Sequence, residues 1–230
     1  MYKNRKVICF IPARGGSKGL PRKNILTIAG KPLIAYSINT AKKVKYIDKI
    51  FVSTEDEEIK RISHEYGAEV IDRPTELASD TASFLDVVKH MISVIPETKN
   101  AVIVLFWVTT PIRKIEHIER CIELFDENID CVVSVMEAKI RPSWLLIQKG
   151  NLLQFWQKGI PEPNRQQQKE TFFYMNGSVV VTSSDFLEKQ KDVIIGDKMK
   201  GYLMDEKHSL DIDTKFDFDL CKLIIESSKI

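Results

Sequence analysis

Residues 7–28 read VICFIPARGGSKGLPRKNILTI, and the rest of the chain is organised around this stretch. Its apolar run, residues 7–11, ends at Pro12 and predicts a strand buried on both faces, as in a parallel sheet. The loop that follows mixes glycines with a serine and cations: Gly15, Gly16, Gly19, Ser17, Arg14, Lys18, Arg22 and Lys23. Glycines let the backbone curl with its N–H groups pointing inward, and the cations neutralise anionic oxygens. The stretch therefore predicts a strand that leads into a phosphate-binding loop.

A solvated surface turn is the alternative interpretation of this loop. Turns rarely carry so many cations directly after a buried strand, and this favours the phosphate site. The glycine spacing differs from the Walker A pattern G-x-x-x-x-G-K-[ST] and from G-x-G-x-x-G. General motif rules therefore indicate a polyphosphate or nucleotide ligand without naming its class.

The composition is that of an ordinary globular protein. The chain has 230 residues, of which 43% are hydrophobic, and this predicts one domain spanning residues 1–230. A net charge of +2 speaks against a nucleic-acid-binding protein. The apolar run near the N-terminus is too short for a signal peptide, and no run approaches the length of a membrane span. We therefore expect a cytoplasmic protein with neither nucleic-acid nor membrane partners.

The cysteines and histidines show no metal-binding spacing. The cysteines lie far apart in apolar patterns: Cys9, Cys121, Cys131 and Cys221. We expect them to be buried thiols in a reducing compartment. The histidines are predicted to be scattered surface residues: His64, His90, His117 and His208. Neither a zinc site nor a histidine-based triad is expected.

Apolar runs and helical patterns alternate along the chain with short connections. Further strands are predicted over residues 49–54, 68–72, 101–106, 131–136, 177–182 and 201–204. Helices are predicted to begin at Pro32, to follow a cap at Ser53 or Thr54, and to cover residues 81–95, 115–126, 184–190 and 214–227. This alternation predicts an α/β fold with a mostly parallel sheet and helices on both faces.

Residues 137–174 interrupt the alternation with prolines, a glutamine run and large aromatic side chains. The segment is too long for a plain loop. An unstructured insertion is one interpretation. The aromatic residues Trp144, Phe155 and Trp156 favour the other, a packed arm that meets another surface.

Ligands of open α/β sheets bind at the carboxyl ends of the strands, where further motifs of this chain are predicted to lie. Residues 73–83, RPTELASDTAS, follow the third predicted strand, and Ser79, Asp80 or Thr81 is expected to cap the next helix. Residues 109–113, TTPIR, follow the fourth.

Asp211 and Asp213 are two residues apart, so in an extended segment their side chains share one face. Two carboxylates that point the same way repel each other unless a cation lies between them. Reactions of triphosphates need a hard cation held by carboxylates, and the pair therefore predicts a Mg²⁺ site. The alternative is that Asp213 or Thr214 caps the following helix.

Residues 13–24, ARGGSKGLPRKN, closely resemble the signature loop of the acylneuraminate cytidylyltransferases, the CMP-sialic acid synthetases. The resemblance covers nearly the whole chain and implies a Rossmann-like sheet of the nucleotide-diphospho-sugar transferase type. It also implies that CTP is joined to a nonulosonic acid, that pyrophosphate is released, and that Mg²⁺ is the cofactor.

The same resemblance assigns roles to individual residues. The implied catalytic residues are Arg14, Lys18, Lys23, Asp211 and Asp213, of which the two aspartates hold the metal. The implied nucleotide-binding residues are Ala13, Arg14, Gly15, Gly16, Ser17, Lys18, Lys23 and Asn24, together with Arg73 and Ala82, which face the cytosine base.

On the sugar side the chain departs from the family pattern. The family usually reads QPTSPLR where this chain has WVTTPIR, so Trp107 replaces a glutamine that contacts the sugar acid. Phe84 likewise replaces a small polar residue common in sialic acid enzymes. If both side chains face the pocket, it favours a dideoxy nonulosonic acid such as legionaminic acid; the alternative is that Trp107 turns into the core. The sugar-binding residues implied by position are Trp107, Thr109, Thr110, Arg113, Arg165 and Asn176.

Members of the family dimerise through the region of residues 137–174. The resemblance therefore implies a homodimer whose arm helps to build the sugar pocket of the other copy, through Arg165 and Lys139 or Lys158. One rival is another sugar nucleotidyltransferase of this fold, such as a Kdo cytidylyltransferase. A second rival is a CTP- or CMP-sugar-binding regulator without catalysis, although a sensor has no need of a catalytic metal. The sequence identifies no general base.

Overall fold

The predicted first strand lies inside the sheet of the computed structural model, which describes residues 1–17, 19–156 and 170–227. Residues 7–11 of this strand are completely buried. Strands pair with it on both sides, and helices cover both of its faces. This surrounding explains why the run is apolar throughout rather than alternating.

The described part of the chain forms strands and helices in alternation. The strands are Val7–Pro12 (β1), Thr27–Ile28 (β2), Lys31–Pro32 (β3), Lys49–Thr54 (β4), Glu69–Asp72 (β5), Val102–Phe106 (β6), Cys131–Glu137 (β7), Leu146–Lys149 (β8), Leu152–Phe155 (β9), Phe173–Ser183 (β10) and Met199–Leu203 (β11). The α-helices are Leu33–Ala41 (α1), Glu57–Glu65 (α2), Phe84–Val94 (α3), Ile115–Leu124 (α4), Ser184–Lys189 (α5) and Lys215–Ser227 (α6).

The main sheet has seven strands in the order β11-β7-β10-β6-β1-β4-β5. The pairs β1–β4, β1–β6, β4–β5 and β7–β11 are parallel, whereas β10 is antiparallel to both β6 and β7. The prediction of a mostly parallel α/β sheet is confirmed. The reversal of β10 has a consequence for the site: the beginning of β10 lies at the edge where the other strands end.

Successive residues of β1 enter two separate cores. Val7, Cys9 and Ile11 pack with α1, α2, α4 and α6, and Ile8 and Phe10 pack with α3 and α5. This period of two is the geometry of a strand covered on both faces. Helices on both faces of the sheet are thereby confirmed, and the four cysteines are buried free thiols, as expected.

Two of the predicted helix caps are wrong, for one local reason in each case. β4 extends through Thr54, so the α2 cap falls later, at Asp56, whose carboxylate accepts from the amides of the first turn. Residues 75–78 form a short 3₁₀ turn, so α3 begins only at Phe84 and is capped by the Ser83 hydroxyl. The residues before this cap therefore stay outside the helix, at the carboxyl edge of the sheet.

The expectation of surface histidines is wrong for His117 and His208, which are both buried. His117 Nδ1 accepts a hydrogen bond from the Lys114 amide at the start of α4, and His208 Nδ1 lies 2.7 Å from an Asp205 carboxylate oxygen. Burial and the neighbouring His208 lower the pKa of His117 to about 4, so it is a neutral hydrogen-bond acceptor at neutral pH. These contacts are local and polar, which is why an apolar pattern does not reveal them.

Between β7 and β10 the chain leaves the main sheet. The strands β8 and β9 form a separate antiparallel hairpin, which carries exposed apolar side chains. Leu152 is 68% exposed, Leu153 66% and Trp156 62%. Arg165 and Lys158 lie outside the described residues. None of the helices in the described ranges has both the length and the apolar character needed to cross a membrane.

Candidate active site

The glycine-rich loop follows β1 at the carboxyl edge of the sheet. Its start is fixed by the Ala13 amide, which donates to the Ser53 carbonyl, and by the Asn24 side chain, which donates to the Arg14 carbonyl over 2.9 Å. The Asn24 contact closes the loop on itself, because it joins the two ends. Gly16 has open space around it, whereas Lys18 lies outside the described residues.

Two glycines of the loop are required by close approaches. A Cβ at Gly15 would lie 2.6 Å from an Asp56 carboxylate oxygen, and a Cβ at Gly19 would lie 2.7 Å from the Asp213 carbonyl oxygen. Neither distance is compatible with a side chain. The loop therefore lies in close contact with the start of α2 on one side and with the segment before α6 on the other.

The cations of the loop meet carboxylates across this cleft. Arg14 pairs with Asp80 at 2.9 Å and donates to the Ala78 carbonyl at 3.2 Å. Lys23 Nζ donates to the Ile212 carbonyl at 2.7 Å and to Asp213 at 3.1 Å. A bound phosphate would compete with these carboxylates for the same donors, Arg14 and Lys23.

Arg22 has a different role from the one its place in the loop suggests. Its guanidinium bonds Asp56 and also Glu58, the latter at 2.7 Å. These hydrogen bonds raise its pKa above the usual value for arginine. Arg22 therefore fastens the far end of the loop to α2.

Asp211 and Asp213 lie on one face of an extended segment, as their spacing predicts. Ile212 between them is buried, and its amide donates to the Thr109 carbonyl over 2.9 Å. The surrounding chain withdraws the Asp211 carboxyl partly from water and, with the charge of Asp213 nearby, raises its pKa, although a hydrogen bond with Thr109 acts in the opposite direction. Thr214 and Asp217 cap α6 through reciprocal hydrogen bonds, so Thr214 is the capping residue of the two candidates. Asp213 adds only its backbone amide, which donates to Asp217, while its carboxylate accepts from Lys23.

Arg73 directly follows β5 and is buried. Its Nε donates to the Ser53 hydroxyl at 3.1 Å and its Nη2 to the Ser53 carbonyl at 2.7 Å. Burial lowers the pKa of Arg73 to about 10; Glu55 opposes this effect and Arg14 adds to it. Arg73, Glu55 and Arg14 therefore form one electrostatic cluster at the start of the loop.

Glu55 is a residue of this site that the sequence predictions did not include. It follows β4, and its Oε1 accepts a hydrogen bond from the Gly15 amide at 2.7 Å. The signal was present: an acidic pair, Glu55 and Asp56, directly follows a buried strand at the edge where ligands bind. Both members of the pair touch the loop.

Several residues predicted on the sugar side have interior partners. Arg113 is buried, lies with its guanidinium 4.5 Å from the Phe106 ring centroid, and donates to the Trp107 carbonyl and the Ser178 hydroxyl. Burial lowers the pKa of Arg113 to about 9, and Asp211 opposes that shift. Sugar contact by Arg113 stays a prediction, while its observed bonds hold the turn after β6.

Asn176 sits at a bulge in β10 and connects three segments. Its amide accepts from Ser134 on β7 at 2.6 Å and donates at 2.8 Å to Ser209, which precedes the aspartate pair. Asn176, Ser209 and Asp211 line one cavity of about 370 Å³. Thr110 is buried, and its hydroxyl donates to the Gly177 carbonyl at 3.3 Å.

Trp107 and Phe84 form a stacked pair. Their ring centroids are 4.9 Å apart and their planes are inclined by 13°. Both side chains are half-buried against the core on the α3 face. Phe84 and Trp107, which both depart from the family pattern, thus form one apolar surface after β6.

Comparison with known proteins identifies the family of this chain. A family model described as cytidylyltransferase matches residues 8–194. The chain belongs to the cytidylyltransferase family. The matched residues include the glycine-rich loop, Arg73 and Asn176, whereas Asp211 and Asp213 lie beyond them.

Relatives of this cytidylyltransferase are named for N-acylneuraminate and for a legionaminic acid. An N-acylneuraminate cytidylyltransferase of Escherichia coli O18:K1:H7 is 34% identical over 94% of this chain and 51% of its own length. The chain spans about half the length of the curated relatives of this kind that it matches. A CMP-N,N'-diacetyllegionaminic acid synthase of Legionella pneumophila is 30% identical over 96% of this chain and 97% of its own length.

A solved structure of CMP:2-keto-3-deoxy-manno-octonic acid synthetase, complexed with CTP, shares the fold of this cytidylyltransferase. The TM-score is 0.74 with 16% identity, over 97% of this chain and 99% of the other. At this identity the likeness shows the fold alone. The Rossmann-like sheet expected from the sequence is thereby confirmed.

We predict that Arg113→Met lowers the free energy of unfolding by about 2–4 kcal/mol, because it leaves the Trp107 carbonyl and buried hydroxyls without their donor. Urea unfolding measures the change. Arg120→Met, which removes an exposed arginine paired with Glu123 on α4, should change it by less than about 1 kcal/mol. An Arg113→Met protein of unchanged stability that had lost only sugar affinity would contradict the interior role.

Proposed function

We propose that this protein activates a nonulosonic acid with CTP, giving the CMP-sugar and pyrophosphate. One observation carries the proposal: Lys23 and Gly19 of the glycine-rich loop lie directly against residues 212–213 of the aspartate segment. A triphosphate held by that loop would lie next to the two carboxylates. The family membership and the relatives named for sialic and legionaminic acids support the same reaction.

In the proposed reaction the anomeric hydroxyl of the sugar acid attacks the α-phosphorus of CTP, and pyrophosphate leaves. Positioning and charge neutralisation dominate such transfers. Arg14 and Lys23 would exchange their present partners for phosphate oxygens, and Lys18 is proposed to bind phosphate as well. Asn24 holds the loop closed, and Arg73 and Ala82 would face the base.

Asp211 and Asp213 fit a divalent cation. Burial and the nearby charge of Asp213 raise the pKa of Asp211, and a cation between the two carboxylates would offset their repulsion. The described residues contain no cluster of three or more metal-ligating side chains, and Mg²⁺ is ordinarily held by one or two carboxylates together with substrate phosphates. When bound, the ion supplies Lewis-acid polarisation of the phosphate.

The arm formed by residues 137–174 is proposed as the surface of a homodimer. Its leucines and tryptophans are exposed, and so are Phe173 and Met175 of β10, each by about half. Large apolar side chains exposed in such number ordinarily mark an interface. Lys139 would then lie near the sugar pocket of the other copy. We retain the single domain and the cytoplasmic location as predictions.

The reaction is tested by pyrophosphate release from CTP and Mg²⁺ with a panel of nonulosonic acids and Kdo. We expect release with a nonulosonic acid and little with Kdo. Release with Kdo alone would favour the rival enzyme, and binding of CTP without release from any acid would favour a regulator.

Within that panel we predict a preference for legionaminic acid over N-acetylneuraminic acid, because the Trp107–Phe84 pair offers an apolar surface where a glutamine would bond hydroxyls. The discrimination should be about a hundredfold at most. Comparison of kcat/KM for the two sugars measures it, and Trp107→Gln should shift the ratio towards N-acetylneuraminic acid. A clear preference of the unaltered protein for N-acetylneuraminic acid would refute the assignment.

We predict that Asp211→Asn and Asp213→Asn each lower kcat about a hundredfold or more at saturating Mg²⁺, because each removes a charge from the metal site. Asp219→Asn is the matched control, since it removes a carboxylate that pairs with Lys215 on the surface of α6. All three variants should keep the thermal midpoint of unfolding. Near-native turnover of either site variant would exclude the metal role.

We predict a two-fold dimer at micromolar concentration by light scattering. Leu153→Glu should weaken it about tenfold or more, because the charge must be desolvated in an apolar interface. Leu223→Glu on α6 is the control, since Leu223 is equally exposed at 66% but lies outside the arm. A monomer with full activity contradicts this assembly.

A further inference from the structure

Arg22 lies in a backbone conformation that residues other than glycine seldom adopt. Its φ is 58° and its ψ is 24°, which is the left-handed region. Glycine enters this region freely, whereas a residue with a Cβ atom does so at a cost. A conformation of this kind persists where surrounding contacts hold it, and it is most common at functional sites. The contacts of the Arg22 side chain therefore bear on the shape of the loop.

The start of α2 supplies these contacts. Both terminal nitrogens of Arg22 donate to the Asp56 carboxylate, one of them at 3.1 Å, and Nη2 also donates to Glu58 at 2.7 Å. Asp56 Oδ1 in turn accepts from the Glu58 and Ile59 amides, which fixes its orientation. The bonds with Arg22 are the main reason why the pKa of Asp56 is lowered, so the carboxylate is charged at neutral pH. A guanidinium held at two points by an oriented carboxylate is fixed in direction as well as in distance.

Asp56 contacts the glycine-rich loop near both of its ends. Near the start, an Asp56 carboxylate oxygen leaves no room for a Cβ at Gly15. Near the end, Arg22 is bonded to the same carboxylate and directly precedes Lys23, whose amine donates to the Ile212 carbonyl at 2.7 Å. A change in the backbone angles of Arg22 would turn Lys23 away from that position. The pair of Arg22 and Asp56 therefore sets where the Lys23 amine lies.

We propose that Arg22 is a positioning residue for the nucleotide: its pairing with the start of α2 holds the left-handed turn that presents Lys23 to the triphosphate. The terminal nitrogens of Arg22 are taken by the two carboxylates, so Arg22 acts through Lys23 and not on phosphate. Without the pairing, the loop would have to become ordered as CTP binds, and that cost would weaken affinity without changing the chemical step. This inference rests on the proposed use of CTP.

The test compares Arg22→Gly with Arg22→Ala. Both remove the side chain, but glycine still adopts the left-handed conformation without cost and alanine does not. We expect the dissociation constant of CTP to rise about tenfold in Arg22→Gly and further in Arg22→Ala. Turnover at saturating CTP should stay within about twofold, because Arg22 does not touch the reacting atoms. Calorimetric titration with CTP, without any sugar acid, measures binding, and steady-state kinetics measure kcat.

Further variants separate positioning from general support of the fold. Asp56→Asn keeps a good cap for α2 but removes the charge, so it should weaken CTP binding to the same degree as Arg22→Gly. The double variant Arg22→Gly/Asp56→Asn should then lose no more than either single variant, because both break one contact. Arg61→Ala removes an exposed arginine that pairs with Glu65 on α2; it is the matched control and should leave CTP affinity unchanged. A thermal melt of each variant verifies that it is folded.

Unchanged CTP affinity in Arg22→Gly overturns the inference, and so do additive losses in the double variant. A fall in kcat at saturating CTP would assign Arg22 to the reaction itself and would overturn it as well. In each of these cases the unaltered protein still binds CTP, and the proposed function stands. If the unaltered protein does not bind CTP, the proposed function fails and the inference fails with it.

Discussion

The hydrogen bond from Lys23 to the Ile212 carbonyl is the constraint on which the site depends. It joins residues 189 positions apart, so it forms only when the sheet between them is complete. β1 delivers the loop that carries Lys23, and burial of Ile212 in the core fixes the other partner. The close approach of Gly19 to Asp213 lies at the same junction. The hydrophobic core thus fixes the positions of the two segments, and the Lys23 amine joins the glycine-rich loop to the segment before α6.

The charges at this junction are arranged so that they can exchange partners. Lys23 is nearly buried, with 12% of its side chain exposed, whereas Asp213 is 74% exposed. An ion pair with so exposed a partner contributes little, roughly 0–1 kcal/mol. A polyphosphate makes stronger charge-assisted bonds with the same donor. The cation is therefore held in position by the backbone carbonyl, and the exposed carboxylate is the replaceable partner.

Local signals in the sequence were enough to predict the sheet and the positions of the glycine-rich loop and the aspartate pair at its edge, while their roles stay predictions. The apolar run before Pro12 and the spacing of Asp211 and Asp213 each depend only on the period of an extended chain. The roles of Arg113 and Glu55 depend on partners that are distant in sequence, such as Ser178 and Gly15, and no periodicity encodes them. The antiparallel direction of β10 could not be predicted either, because an apolar run does not indicate which way its strand runs in the sheet.

The direction of β10 also decides where the arm lies. Parallel neighbours need a crossover that returns the chain to the opposite edge of the sheet, whereas an antiparallel partner is entered from the edge at which the previous strand ended. Because β7 and β10 are antiparallel neighbours, the segment between them leaves and re-enters at the carboxyl edge. The bulge at the start of β10 then turns Asn176 towards Ser134 and Ser209, and Ser209 leads directly to Asp211. The reversed strand therefore brings the arm and Asn176 to the same edge as the glycine-rich loop, and the parallel strand β11, which also ends at that edge, leads to the aspartate pair.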